Sequence, residues 1–155
     1  MLKSRKNILI AALLYTAFIV YVMFFAFGRT DDAAQIHSYT FIFAPGNFFK
    51  LPDLSELLSP SLMDLVSLGN VAAFIPFGIL VPLLRPIRFV SFLGGFILSI
   101  LILETVQALT FLGSFDLGDV LTNALGASIG FGAYRLGMRA KTHWKRLSSW
   151  APPSL

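Results

Sequence analysis

Four apolar runs restrict the fold of this chain more than any other feature. A helix rises about 1.5 Å per residue, so roughly 20 apolar residues are needed to cross the hydrocarbon core of a membrane. The runs predict helices at about residues 8–27, 65–84, 89–111 and 120–136. We therefore expect an all-α polytopic membrane protein, with four transmembrane helices in a small bundle that forms a single domain over residues 1–155.

The composition agrees with a membrane protein. The 155 residues are 56% hydrophobic and 13% charged, and 16 of them are Phe, whereas about a quarter of an ordinary soluble domain is charged. A soluble domain of this length would lack the interior volume to bury so much apolar surface. The chain has no Cys, which excludes disulfides, zinc–thiolate sites and thiol catalysis.

The first apolar run has an alternative interpretation, a cleaved signal peptide. A signal peptide has an apolar core of about 7–15 residues that ends at small residues. This run is longer, and Phe25 and Phe27 flank Ala26 at its end. We therefore expect the first helix to be retained.

The basic residues predict the orientation of the helices. Four crossings place most of them on one side of the membrane, and the positive-inside rule makes that side cytoplasmic, with both termini there. The basic residues on this side are Lys3, Arg5, Lys6, Arg85, Arg88, Arg135, Arg139, Lys141, Lys145 and Arg146. Only Arg29 and Lys50 fall on the other side. The net charge of +4 therefore indicates orientation in a membrane, and no nucleic-acid partner is expected.

Two segments are predicted to lie outside the bilayer core. The chain from Gly28 to Asp64 is expected to form a long extracytoplasmic loop between helices one and two, and its aromatic stretch FIFAPGNFF (residues 41–49) is expected to lie on the membrane surface. The basic tail, residues 137–155, is expected to rest on the inner head groups.

Six polar residues are predicted to share one layer near the extracytoplasmic surface, and we call them the polar cluster. Helix three travels outward and helices two and four travel inward, so the polar positions lie within roughly 10 Å of the outer helix ends. The cluster consists of Asn70, Glu104, Gln107, Asp116, Asp119 and Asn123. A charge inside a bilayer costs at least about 2.5–3.5 kcal/mol on insertion scales, so we interpret Glu104 and its neighbours as a binding site.

Purely structural roles are the alternative for several of these residues. Asp116 or Asp119 could cap helix four and complement its dipole. Asn70 and Asn123 could form hydrogen bonds between helices. Both interpretations stay open from the sequence alone.

One stripe of helix four is mostly small, which favours close approach of another helix. The residues on this stripe are Asn123, Gly126, Ala127, Gly130, Tyr134 and Gly137. Asn123 is therefore expected on the packed face of the helix.

No metal ligand and no cofactor are predicted. His37 lies in the outer loop and His143 in the basic tail, and neither has a suitable partner for a metal. Glu104, Asp116 and Asp119 leave a hard-cation site as a minor alternative, but their spacing is not specific.

Three motifs together resemble the VanZ-like family of bacterial integral membrane proteins. They are GNVAAFIPFGILVP from Gly69, ETVQ from Glu104 and GSFDLGDVLTNALGASIG from Gly113. The resemblance covers residues 65–135 and implies a small polytopic protein of the bacterial cytoplasmic membrane. The founding member is associated with low-level resistance to teicoplanin, a lipid-anchored glycopeptide antibiotic. Many relatives carry Arg where Ser114 stands, and its absence removes a counter-ion for Asp116 or Glu104.

The leading functional hypothesis is a non-enzymatic protein of the bacterial cell envelope. The polar cluster would bind a membrane lipid, a lipid-linked cell-wall component or a lipoglycopeptide, and thereby change glycopeptide susceptibility. No catalytic residue is predicted. The alternatives are an intramembrane enzyme with Glu104 as general acid and base, or a small proton-coupled carrier with Glu104 as relay. Assembly into a homo-oligomer is compatible with all three.

Overall fold

A computed structural model describes residues 5–25, 39–43 and 62–148. Within these residues the chain forms four helices and one pair of two-residue strands. The elements in chain order are α1 (Arg5–Phe25), β1 (Phe41–Ile42), α2 (Leu62–Leu84), α3 (Phe89–Leu109), β2 (Phe115–Asp116) and α4 (Leu117–Ser148). The predicted helical class is confirmed. By length and composition, three helical stretches could cross a membrane: α1, residues Ser67–Leu84 of α2, and α3.

The fourth helix differs most from its predicted bounds. It begins at Leu117 and continues to Ser148, so the predicted end at residue 136 is wrong. Residues 137–148 of the predicted tail continue the same helix, with every side chain exposed. This segment is rich in Arg, Lys, Ala and Met, which are good helix formers. The first Pro that follows Leu117 in the sequence is Pro152.

The helices alternate in direction, as the topology prediction requires. Positions 71 and 75 of α2 face positions 126 and 130 of α4, so these two helices are parallel. The hydroxyl of Tyr15 in α1 donates to the carbonyl oxygen of Ala73 at 2.7 Å, and the amide of Gln107 in α3 donates to the carbonyl oxygen of Met23 near the end of α1. Thus α1 and α3 run one way, and α2 and α4 run the other.

Glycines bring α2 and α4 into backbone contact. A Cβ atom added at Gly126 would overlap the carbonyl oxygen of Val71, and one added at Gly130 would overlap that of Ile75. Gly78 of α2 likewise lies against the backbone of α4, next to Ala127, which is fully buried. The predicted close approach is confirmed at Gly126, Ala127 and Gly130. It is wrong at Gly137, around which the structure is open.

Apolar side chains fill the space around this helix pair. Ile19, Phe74, Ile100 and Val120 form a buried cluster to which each of the four helices contributes one residue. A second cluster contains Phe92, Ala127 and Phe131. Phe74 and Ile100 lie one turn below Asn70 and Glu104, whereas Val120 directly follows Asp119 and lies within the polar layer.

A short segment of the outer loop pairs with the connection between α3 and α4, an addition to the predicted all-α fold. Phe41 and Ile42 pair in parallel with Phe115 and Asp116, and the Phe115 N–H donates to the carbonyl oxygen of Thr40 at 3.0 Å. Of the predicted surface-lying stretch, residues 41–43 take part in this contact or adjoin it, and residues 44–49 lie outside the described residues.

The packing of α2 on α4 predicts opposite effects of Ala at two glycines of α4. In an exposed helix position, Gly→Ala stabilises by about 1 kcal/mol. At Gly130 the added methyl would overlap the Ile75 carbonyl, so Gly130→Ala should lower the free energy of unfolding by about 1–3 kcal/mol. Gly132→Ala is the matched control, because the space around Gly132 is open. Thermal unfolding in detergent measures both variants, and equal stability would contradict the packing.

Candidate functional site

The polar cluster gathers at one end of the bundle. Helix directions place the ends of α1 and α3 beside the beginnings of α2 and α4, and these are the positions that carry the six polar residues. Hydrogen bonds connect Asn70 with Asp119 and Glu104 with the backbone of Asp116. Gln107 is bonded to α1, and Asn123 is buried nearby on α4.

Glu104 is a buried carboxylate in the last turns of α3. Its side chain is 2% exposed, and its Oε2 atom accepts a long hydrogen bond, 3.4 Å, from the backbone N–H of Asp116. A buried carboxyl needs such donors, because transfer from water without them is costly. This donor belongs to the backbone where α4 begins, so it connects the last turns of α3 with the beginning of α4.

Asp116 and Asp119 have structural contacts at the beginning of α4. Asp116 immediately precedes the helix, and its Oδ1 accepts from the Gly118 N–H at 2.7 Å, which is the geometry of an N-cap. Asp119 lies in the first turn, where a negative charge complements the helix dipole. Its Oδ1 accepts from the Asn70 amide at 2.8 Å. The capping alternative therefore describes Asp116, and Asp119 connects α4 with α2.

Gln107 holds the end of α1 against α3. Its Nε2 atom donates to the carbonyl oxygen of Met23 at 2.6 Å, and the side chain is buried. Met23 belongs to the last described turn of α1, and that turn contains no basic residue. Gln107 thus connects this end of α1 with α3 through a side-chain hydrogen bond.

Asn123 is a buried polar residue whose side-chain oxygen accepts no hydrogen bond from any described part of the chain. It is 2% exposed, on the face of α4 that carries Gly126 and Ala127. Its side-chain oxygen has no hydrogen-bond partner among the residues described by the structure. Leaving a buried acceptor unsatisfied costs about 1–3 kcal/mol, so such groups are uncommon. A bound hydroxyl, an amino group or a water molecule would satisfy this oxygen.

Two contacts beside the polar cluster were not predicted from the sequence. Phe111 follows the C-cap of α3 and has a left-handed backbone, with φ of 59°. The Phe111 N–H donates to the Ala108 carbonyl and the Leu112 N–H to the Gln107 carbonyl, which together form a Schellman motif. Glycine usually occupies this position, so the sequence pattern did not indicate it. The Phe111 ring stacks on Tyr39, with ring centroids 4.9 Å apart, which attaches the outer segment to the end of α3.

The described residues contain no group of three His, Cys, Asp or Glu side chains arranged to hold a metal ion. The oxygen atoms of Asp116 and Asp119 described above are engaged with a backbone N–H and with an amide. The arrangement therefore offers hydrogen-bond chemistry, with amide and carboxyl groups next to a buried acceptor.

The apolar helices and the polar cluster at one end of the bundle define a helical membrane protein. A family model described as VanZ/LLP1 matches residues 12–138, which is most of the chain. The chain belongs to the VanZ/LLP1 family, and the predicted resemblance is confirmed. No curated protein and no solved structure matches the chain.

The hydrogen bonds of the cluster predict different stability effects at Gln107 and Asn123. Gln107→Met removes the donor to the carbonyl of half-buried Met23 and should reduce the free energy of unfolding by about 1–3 kcal/mol. Asn123→Leu keeps the branched shape of the side chain and removes an acceptor that has no partner among the described residues, so it should be close to neutral. Unfolding in detergent without added lipid measures both, and a loss at Asn123 as large as that at Gln107 would show that Asn123 is satisfied within the protein.

Proposed function

We propose that this protein is a multi-pass protein of the bacterial cytoplasmic membrane that binds a lipid or lipid-linked envelope component at the polar cluster. Binding on the extracytoplasmic side would change how teicoplanin engages the cell surface. The observation that carries this proposal is the buried oxygen of Asn123, which has no partner within the part of the chain that the structure describes and lies amid carboxyl and amide groups from three helices.

The charge distribution supports the orientation in this proposal. Every Lys and Arg in the described residues lies toward the end of the bundle opposite to the polar cluster. The positive-inside rule assigns that end to the cytoplasm. On this orientation α4 also crosses the membrane, because its 32 residues span about 48 Å, compared with about 30 Å of hydrocarbon. Its last turns would then enter the cytoplasm.

The hydrogen-bonding groups define the kind of head group that fits. Asn123 needs a donor, and the half-buried Asn70, Asp116 and Asp119 place amide and carboxyl groups at the rim of the cluster. Hydroxyl and ammonium groups are the donors that such oxygens accept. We therefore propose a head group rich in hydroxyl or amino groups, such as those of lipid-linked sugars and aminolipids.

Single cysteines test the orientation, because the natural chain contains none. Thr40→Cys and Ser148→Cys place unique thiols at exposed positions on the predicted outer and inner sides. A membrane-impermeant maleimide should label the first in intact cells of a bacterium without an outer membrane, and the second only after permeabilisation. Labelling of Ser148→Cys in intact cells would contradict the orientation.

Teicoplanin susceptibility tests the proposed function. In a susceptible host without a related gene, the wild-type protein should raise the minimum inhibitory concentration. The Glu104→Gln/Asp116→Asn double variant and Asn123→Leu should abolish this effect at equal membrane abundance, since each removes part of the polar cluster. Thr105→Val is a matched control, because Thr105 is exposed beside Glu104 and its hydroxyl donates to the Leu101 carbonyl of its own helix.

A glycopeptide without a lipid chain separates lipid-dependent from general effects on the cell wall. The wild-type protein should change susceptibility to this compound less than susceptibility to teicoplanin. Unchanged teicoplanin resistance in both polar-cluster variants would refute the proposed function.

A further inference from the structure

An apolar groove lies between α1 and α3, with α2 as its floor. Its volume is about 350 Å³. Thr16 and Val20 line the α1 side, Phe77 contributes to the floor, and Gly95 and Ser99 line the α3 side. The groove exists because α1 packs on α2 while α3 presents small residues to the gap. A Cβ atom added at Gly95 would meet no atom within 4 Å.

The polarity of the groove matches a hydrocarbon chain. No charged residue lines it, and most of its lining is aliphatic or aromatic. The hydroxyl groups of Thr16 and Ser99 donate to the carbonyl oxygens of Ala12 and Gly95 in their own helices, at 2.8 and 2.9 Å. Their donors are therefore satisfied, and the wall offers dispersion contacts but little hydrogen bonding.

The groove is too narrow for another helix. Along α3 it extends from Ser91 to Leu103, a rise of about 18 Å. The empty space of the groove, about 850 Å³ including its open side, gives a mean cross-section of roughly 50 Å² over this length, whereas a helix about 10 Å across occupies roughly 80 Å². A single extended hydrocarbon chain fits within this width, and a helix of a second copy would rest on the rim.

The groove leads toward the polar cluster. Ile100 and Leu103 at its outer end directly precede Glu104 and Gln107 on α3. On α1, Ile19 and Val20 lie one turn before Met23, the residue that accepts from Gln107. The apolar groove and the polar cluster thus follow one another along α3, in the order that an amphiphile presents them.

We propose that the groove binds one hydrocarbon chain of a membrane lipid whose head group lies at the polar cluster. This inference rests on the proposed function and extends it, because it makes the ligand a long-chain amphiphile that is bound along its length. The chain enters from the bilayer between α1 and α3, so the protein need not extract the lipid from the membrane.

Photocrosslinking locates the lipid chain directly. The purified full-length protein is placed in nanodiscs that contain an aminophospholipid with a diazirine in its acyl chain, and adducts are mapped by peptide mass spectrometry. We expect adducts concentrated on the groove residues of α1 and α3. Equal labelling of the exposed residues Leu13 and Leu98, which do not line the groove, would mean ordinary solvation by lipid and would overturn the proposal.

Two neighbouring glycines provide the matched variants. Gly95→Phe should fill the groove and reduce groove adducts by at least about tenfold through steric exclusion, whereas Gly94→Phe places the same ring in open space outside the groove and should leave them unchanged. Ser99→Leu is a second filling variant, and the unfolding temperature of each variant verifies folding. Equal adduct yields in the two glycine variants would overturn the proposal.

Further measurements distinguish the other occupants. If Gly95→Phe converts a dimer into a monomer by light scattering in detergent, and no adducts form in the groove, the occupant is a second copy and the proposal fails. If unlabelled teicoplanin displaces the probe from the groove while excess unlabelled phospholipid does not, the occupant is the chain of the antibiotic and the proposal fails.

Asn123→Leu links this inference to the proposed function. If head group and chain belong to one bound lipid, this variant should lower the yield of groove adducts by about twofold or more, because it removes a head-group hydrogen bond. Loss of resistance in Asn123→Leu with unchanged groove adducts would refute the shared lipid and leave the proposed function standing. Groove adducts without any effect of the cluster on resistance would refute the proposed function instead.

Discussion

The backbone contact between α2 and α4 is the constraint on which the rest of the structure depends. Gly126 and Gly130 bring α4 against the carbonyl oxygens of Val71 and Ile75, so these two parallel helices are held in one register. That register places Asn70 beside Asp119 and sets the depth of Asn123. Between apolar helices in lipid the hydrophobic effect provides little driving force, and close packing of small residues takes its place. A side chain at either glycine would separate the helices and alter the site.

The polar cluster serves helix ends as well as the proposed ligand. Asp116 caps α4, Asn70 connects α2 to Asp119, and Gln107 satisfies a carbonyl at the end of α1. Backbone groups at helix ends near a membrane need such partners, because lipid offers none. The side-chain oxygen of Asn123 accepts no comparable hydrogen bond within the described residues. Asn123 is therefore the residue on which the binding proposal rests, whereas Asp116, Asn70 and Gln107 stabilise helix ends and contacts between helices.

Two features make the composition of α4 less apolar than that of the other helices. Its last turns are exposed and basic, and its first half is packed against α2. Its buried face carries Thr122, Asn123, Gly126 and Gly130, which pack against α2 and contribute little hydrophobicity. A helix surrounded by lipid needs apolar side chains on every face, which raises its mean hydropathy. α4 needs them only on the face that is not packed against other helices. The peripheral α1 shows the opposite pattern, with large exposed apolar side chains such as Leu13, Leu14 and Phe18. Its looser packing beside α3 also leaves room for the apolar groove.

The sequence by itself determined the helical class, the helix directions, the family and the polar layer, because apolar run length, charge placement and helical periodicity are local properties of the chain. Tertiary structure alone decided which partner each polar group meets: Gln107 bonds to Met23, 84 positions away, and Glu104 to the backbone of Asp116. It also decided the pairing of residues 41–42 with 115–116, the left-handed Phe111 and the groove between α1 and α3. These features depend on the distance between helices, which is set by side-chain volumes from separate parts of the chain and leaves no periodic signal in any one of them.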